Sequence, residues 1–448
     1  MQLYRHPKSL PHSTDYRLVL NDQPVEVLAT GVADFAICAL APADFPVRVE
    51  LTVLRPGSAA SPTLRPLSRN LTATSEGATV RFTLERPEKL SIDFGSDIKP
   101  LYLFAQPPEN HPPAPGDPSV ITFPAGQITE VPMLTLEDGQ TLYIPGGAVL
   151  KGRIHVKGKQ GIRICGHGIF DGSYYSHTSG EFVPSIVLER CPGVLVEDIT
   201  MVRPQAWMLL LGACAGATVR NLKQIGEVMS SDGIDVVGSS DVLIEDCFLH
   251  NNDDCVVIKA FNVGGNNLGA THLDCRENVE NVLVRHCTFA NWRGGNAMEI
   301  GHELSVDHVR NVTFRDIDVL HVHGQGAVFS LHNNDRALIR DVLFENIRIE
   351  HCFDKLIDFR ISQSRFSSDA ERGTMRNITL RNIEWHRSDY NTGYTTSLVG
   401  GWDAAHTIED VTIENFRING TPVRHLDELE ICTRHCSGLR LALKSPTV

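Results

Sequence analysis

The chain has no apolar run approaching the roughly 20 residues that a bilayer span requires, and its first residues, MQLYRHPKSL, contain no apolar stretch of the secretory type. A membrane-spanning helix is therefore excluded, export finds no support, and a cytoplasmic location is expected. A Lys/Arg-rich stripe is also missing: 41 basic residues face 54 acidic ones, a formal net charge of −13, so the phosphate-neutralising surface of a nucleic-acid binder is not expected. Cysteine is present but unpatterned. The 11 cysteines are an odd number with no CxxC pair, and Cys432 and Cys436 lack companions at metal spacing. They read as small buried hydrophobes in a reducing compartment. The glycine-rich stretch 146–152 lacks P-loop spacing, which removes a nucleotide site. What is left is a globular composition, 42% hydrophobic and 21% charged, in a chain of 448 residues, enough for one small domain plus an elongated array.

Six prolines among residues 107–118 break the chain, since neither a helix interior nor a central strand tolerates them. Before that linker, residues 1–106 carry short runs with partial period-2 alternation (16–20, 47–53, 78–84, 90–94, 101–104), the spacing of a small β-sandwich. After it, residues 119–448 repeat an apolar–x–apolar pattern followed by a polar pair. Equivalent positions Ile162, Val194, Ala217, Val242, Val282, Val312, Val342, Ile378 and Val411 are separated by 32, 23, 25, 40, 30, 30, 36 and 33 residues. Helical-hairpin repeats keep tighter periods, whereas a parallel β-helix absorbs such drift in its turns. A polar residue recurs at one place in each repeat: Asp198, Asn221, Asp246, His286, Asp316, Asn346, Asn382 and Asn415. Stacked coils bring these into a ladder with a rung spacing of about 4.8 Å, a scaffold feature.

Two segments, residues 230–238 and 251–260, depart from the repeat by concentrating acid. Asp232 precedes Asp253 and Asp254 by 21 and 22 positions, close to one local repeat, so the three carboxylates fall about one coil apart. Lateral offset is expected to widen that to the roughly 6.5–9.5 Å at which an acid and a base flank a glycosidic bond and admit a water. Like charges this close oppose one another's ionisation, which keeps one proton available for acid catalysis while an ionised neighbour orients water. A calcium site, or acidic turns on a solvated face, is the alternative reading of the same residues.

The two segments resemble glycoside hydrolase family 28, the polygalacturonases, with its Asn-Thr-Asp-Gly-x-Asp followed by Asp-Asp-Cys. Residues 166–173 and 203–207 look like further motifs of that family. The N-terminal part, with residues 65–68 and 136–152, is similar to the sandwich-plus-β-helix layout of family 49, the dextranase and isopullulanase group. The resemblance implies an all-β protein, a right-handed parallel β-helix behind a small β-sandwich, acting as an inverting hydrolase of O-glycosyl bonds. It makes Asp253 the general acid and Asp232 with Asp254 the pair that activates water. Where the family has Gly-His-Gly, this chain has Trp292-Arg293-Gly294. Where it has Arg-Ile-Lys, the equivalent coil reads Val328-Phe329-Ser330-Leu331, with Arg360 on a later coil. An apolar pair there cannot receive a uronate carboxylate, so a neutral sugar is expected at the catalytic subsite.

Repeat arithmetic places Lys259 and Glu299 at the same offset on neighbouring coils, and likewise His302 and His332. With Trp207, Arg293 and Arg360 they form the expected sugar-binding set. His321 and His323 share a strand face without further ligands, so no metal and no cofactor are expected. The expected partner is an oligo- or polysaccharide substrate, with no nucleic acid and no membrane. Two competing functions stay open: a uronate lyase or epimerase with Lys259 as base, and a non-catalytic glycan-binding β-helix.

Overall fold

The computed structural model describes residues 1–55, 62–95, 98–179, 182–263, 272–387 and 396–442. Two antiparallel-dominated sheets form the N-terminal part. One orders the strands Gln2–Leu3, Asp34–Ala39, Leu101–Gln106, Glu88–Asp93 and Thr63–Arg65; the other orders Gln23–Val25, Tyr16–Leu20, Val47–Val53, Thr79–Leu84 and Thr74–Glu76. Alternation in Val47–Val53 turns its odd-numbered residues inward, where Val49 and Leu51 meet Leu18, Leu90 and Leu103 in one core. The opposite face of the first sheet, through Phe35, Ile37, Tyr102 and Phe104, packs on Val149, Ile225, Phe248 and Leu320 of the following domain.

From Val120 onward the chain winds into a right-handed parallel β-helix. The earlier coils supply three short strands each, the later ones merge two of these into a long strand such as His308–Val322, and strands pair in parallel with their equivalents one coil later. The sheet that carries the cleft stacks Leu209–Gly212, Ile234–Val237, Val256–Ala260, Met298–Leu304, Ala327–Asn333 and Lys355–Ile361. Every backbone N–H and C=O that a single coil cannot satisfy is met by the next, so a coil is stable only between neighbours.

The recurring polar residues occupy the turns. Asp198, Asn221, Asp246, His286, Asp316, Asn346, Asn382 and Asn415 all have positive φ, a conformation that Asn and Asp adopt at lower steric cost than other side chains. Their side chains bond from coil to coil: Asn346 Nδ2 donates to Asp316 Oδ1 at 2.8 Å, Asn382 Nδ2 to Asn346 Oδ1 at 2.9 Å and Asn415 Nδ2 to Asn382 Oδ1 at 2.8 Å. Inside the helix, apolar residues stack instead. Phe344 lies 5.3 Å from Phe314 and 6.4 Å from Phe359, ring centroid to centroid. All 11 cysteines are unpaired, and all but Cys432 and Cys436 are buried.

Because Phe344 is fully buried within this stack, Phe344→Ala leaves a cavity that its neighbours cannot fill. We expect a loss of about 3–5 kcal/mol, read as a lower midpoint in equilibrium urea unfolding followed by circular dichroism.

Candidate active site

The acidic residues stand on the turns that lead into the cleft sheet. Register pairs Ile234 with Val256 and Val256 with Met298, so the residues two positions earlier, Asp232, Asp254 and Asn296, sit on successive coils. Gly233 N donates to Asp254 O at 2.8 Å, and Cys255 N to Asn296 O at 2.9 Å, which ties the turns together. Gly295, at φ +65°, lets the third turn approach: a Cβ there would stand 2.2 Å from Asp254 N.

Asp232 and Asp254 are buried, whereas Asp253 is largely buried and faces the cleft. One carboxylate oxygen from each of the three lies within 4.8 Å of the others. Burial, and then the charge of Asp232, push the Asp253 carboxyl up to about 7. Asp254 is raised well above the carboxylate range by burial and by Asp253 and Glu299. Its Oδ1 accepts from both Asn296 N, at 2.7 Å, and Asn296 Nδ2, at 2.9 Å. Asn296 escaped the sequence reading because nothing in its local pattern marks it; only the coil register brings it to Asp254.

Lys259 is not stacked on Glu299, as the repeat arithmetic had it. Glu299 pairs with Val257, and the register then shifts, Ala260 pairing with Leu304. The strand accommodates two extra residues there, with Gly301 at φ +137°. The Lys259 ammonium instead lies 3.0 Å from Asp232 Oδ2, 3.2 Å from Asp235 Oδ1 and 3.9 Å from the centroid of the Trp207 ring. Burial disfavours its charge, but Asp232, Asp235 and Glu303 outweigh that and hold it protonated well above the usual lysine range. Asp235, fully buried, is raised by burial against the pull of Lys259.

Glu299 lies under the cleft floor, fully buried, with His332 Nδ1 at 3.0 Å from its Oε1. Burial opposes its charge, yet the facing imidazolium lowers it to about 2. His332, with Asp358 Oδ2 3.4 Å from its Nε2, is raised to about 9 by these carboxylates against the effect of burial. His302 is lowered to about 4 by burial and by His332, and the two rings stack at 4.4 Å with an interplanar angle of 13°. Register pairs His332 with Gly301 rather than His302, but the side chains close the gap. On the same coil, Phe329 and Leu331 point into the core and Ser330 and His332 point outward. The expected apolar pair therefore does not face the cleft: the alternation is one residue out of phase with the alignment read from the sequence, and Ser330 and His332 occupy the outward positions.

The three acids, Lys259, His302, His332 and Asp358 line a cleft of about 760 Å³ with Trp207, Arg293, Glu303, Arg360 and Phe366. Arg360 pairs with Asp358 at 2.9 Å, and Arg293 is exposed at the rim. Trp292 stacks on His323 at 5.1 Å, away from the cleft lining, and Trp402 is exposed elsewhere. Asp358 and Glu303 were not singled out from the sequence, since each looks like an ordinary strand residue until the coils stack.

Two sets of ligating atoms are close enough to share an ion: Asp232, Asp253 and Asp254, and Glu299, His302 and His332. Neither donor set fits a metal. In the second, the parallel ring planes of His302 and His332 keep their in-plane lone pairs from converging on one point. In the first, Asp254 Oδ1 already takes two N–H donors and Lys259 occupies the cation position beside Asp232.

The model of glycosyl hydrolases family 28 matches residues 153–436. The chain belongs to that family. It is 24% identical over 237 residues to a probable polygalacturonase of Arabidopsis thaliana, covering 46% of this chain and 51% of that protein. It is 26% identical over 253 residues to probable rhamnogalacturonase E of Aspergillus flavus, covering 55% and 51%. The chain spans about half the length of these curated relatives. Among solved structures, Dex49A from Penicillium minioluteum, a family 49 dextranase, superimposes with a TM-score of 0.62 at 12% identity over 95% of this chain and 92% of that one. The family 28 exopolygalacturonase of Yersinia enterocolitica gives 0.55 at 12% identity, over 99% and 95%. Both likenesses concern the fold, and the first covers the sandwich and the β-helix together.

A carboxyl whose folded-state value is raised costs stability once it ionises: the penalty is absent below the unfolded value near 4, develops as pH rises and is complete above about 7. Asp253→Asn removes it. The substitution is expected to raise the thermal midpoint at pH 8 by more than at pH 5, as checked by calorimetry at the two pH values.

Proposed function

We propose that the protein is a glycoside hydrolase that cleaves an O-glycosidic bond with inversion, with a neutral sugar at the catalytic subsite of an oligo- or polysaccharide. The observation that carries this is Asp253: a largely buried carboxyl that lines a sugar-sized cleft, raised to about 7 beside the buried acids Asp232 and Asp254. Near neutral pH it retains a proton to give to the glycosidic oxygen as the bond breaks. Asp232, ion-paired with Lys259, takes the proton of the attacking water; Asp254, kept neutral by burial and its acidic neighbours and held by Asn296, serves to orient that water and not as a second base. The short carboxylate spacing by itself does not select inversion. That part of the reading rests on the family, whose members invert.

The neutral subsite is supported by charge matching. The floor cations Lys259 and His332 each lie between two carboxylates, Asp232 with Asp235 and Glu299 with Asp358. An incoming uronate would compete with anions already in place, in a site where unpaired charge is costly. A hydroxyl-rich neutral sugar instead finds an unclaimed acceptor in the Asp358 carboxylate, whose Oδ1 has no hydrogen-bond partner among the described residues. A lyase using Lys259 as base is disfavoured, because that ammonium is held protonated by its carboxylates.

Asp253→Asn should lower kcat by at least about 10²-fold with an unchanged circular dichroism spectrum. Near-wild-type turnover would remove Asp253 from the acid role. A second test sets polygalacturonate against dextran and other neutral glucans and galactans of similar length. Higher kcat/KM on a neutral glycan is expected, and NMR in the first minutes should show product of anomeric configuration opposite to the bond cleaved.

A further inference from the structure

We infer that Lys259 is a positioning residue: it pins one oxygen of Asp232 so that the other faces the water-attack position, and Asp235 anchors the ammonium from the coil below. The inference rests on the hydrolase reading above. A lysine ammonium offers three N–H groups. Here one meets Asp232 Oδ2 at 3.0 Å, one meets Asp235 Oδ1 at 3.2 Å, and the Trp207 ring lies against the same nitrogen at 3.9 Å. None is left for a sugar, so the recognition role expected from sequence is replaced by an internal one. Asp232 Oδ1, in contrast, is buried without a hydrogen-bond partner among the described residues, and Asp232 lines the cleft. The engaged oxygen and the unbonded one thus have different tasks.

The supports are rigid. Lys259 and Asp235 both lie on strands of the cleft sheet, and Val237 pairs with Lys259 in register, so backbone hydrogen bonds fix the height of the ammonium relative to Asp232. The charged groups facing Lys259 are Asp232, Asp235, Glu303 and Asp254; those facing Asp253 are Asp232, Asp235, Asp254 and Lys259. Lys259 is the only cation in that second set, and its field opposes the upward shift of Asp253. A residue that merely fills space would leave that titration unmoved.

The test is steady-state kinetics and a pH profile for Lys259→Met, Lys259→Arg and Asp235→Asn, with wild type and Asp253→Asn as references, on whichever glycan of the panel wild type cleaves fastest. Lys259→Met should lower kcat about 10- to 100-fold while KM stays within about 3-fold. Without the ammonium, Asp253 holds its proton to higher pH, so the alkaline limb of kcat/KM should move upward. Lys259→Arg keeps the charge and should return the limb towards its wild-type position. Asp235→Asn should lower kcat in the same sense with KM again little changed. A rise in KM at unchanged kcat would mean that Lys259 touches substrate and would overturn the proposal, as would a loss of activity with the alkaline limb unmoved. Should Lys259→Met fail to fold, the arginine and Asp235→Asn variants decide by the same criteria. If wild type is active and Asp253→Asn is not, the hydrolase reading stands even where the Lys259 proposal fails. A wild type inert on every glycan overturns both.

Discussion

Everything in this molecule depends on coil-to-coil hydrogen bonding. Parallel pairing repeats at about 4.8 Å, so a residue's neighbours are set by its place in the coil rather than by its distance along the chain. Asp232, Asp254 and Asn296 become adjacent although 22 and 42 residues separate them. The same rule that aligns phenylalanines inside the helix aligns asparagines at the turns and charges on the cleft sheet.

The cleft sheet uses that rule against stability. It gathers Asp232, Asp235, Asp253, Asp254, Glu299 and Asp358 with Lys259, His332 and Arg360 as counter-charges, much of it below the surface. Buried ion pairs roughly offset their desolvation only when well bonded, and several of these carboxylate oxygens lack a protein partner among the described residues. The continuous apolar interior of the β-helix and the docking of Tyr102 and Phe104 on its flank provide the stability that such a site consumes. Unsatisfied charge concentrated at one place, in a scaffold regular elsewhere, is the pattern of a reactive site.

Fold class was legible in the sequence because it depends on local chemistry repeated many times. Apolar alternation marked the strands. Asn and Asp at one repeat position marked turns, and those residues do adopt positive φ. The acidic residues were legible too, since an Asp-Gly and an Asp-Asp one coil apart are visible without coordinates. Family resemblance, carried by those same residues, agrees with the matched family and with the Dex49A-like layout.

Partners across coils were not legible where the coils change length. The turn from Asn291 to Met298 is two residues longer than its equivalent from Asn251 to Val256, and this broke the constant-offset arithmetic. Lys259 consequently faces Asp232 and Asp235 instead of Glu299, and Glu299 sits beneath His332. The phase of a single strand decided that Ser330 and His332, not Phe329 and Leu331, face outward. The sequence by itself determined which residue types recur, and hence the coil, its turns and its acids, because those follow from short-range preference. Only the tertiary structure decided which charges meet, because an ion pair depends on distances of a few ångströms set by register, and one bulge changes every contact that follows it.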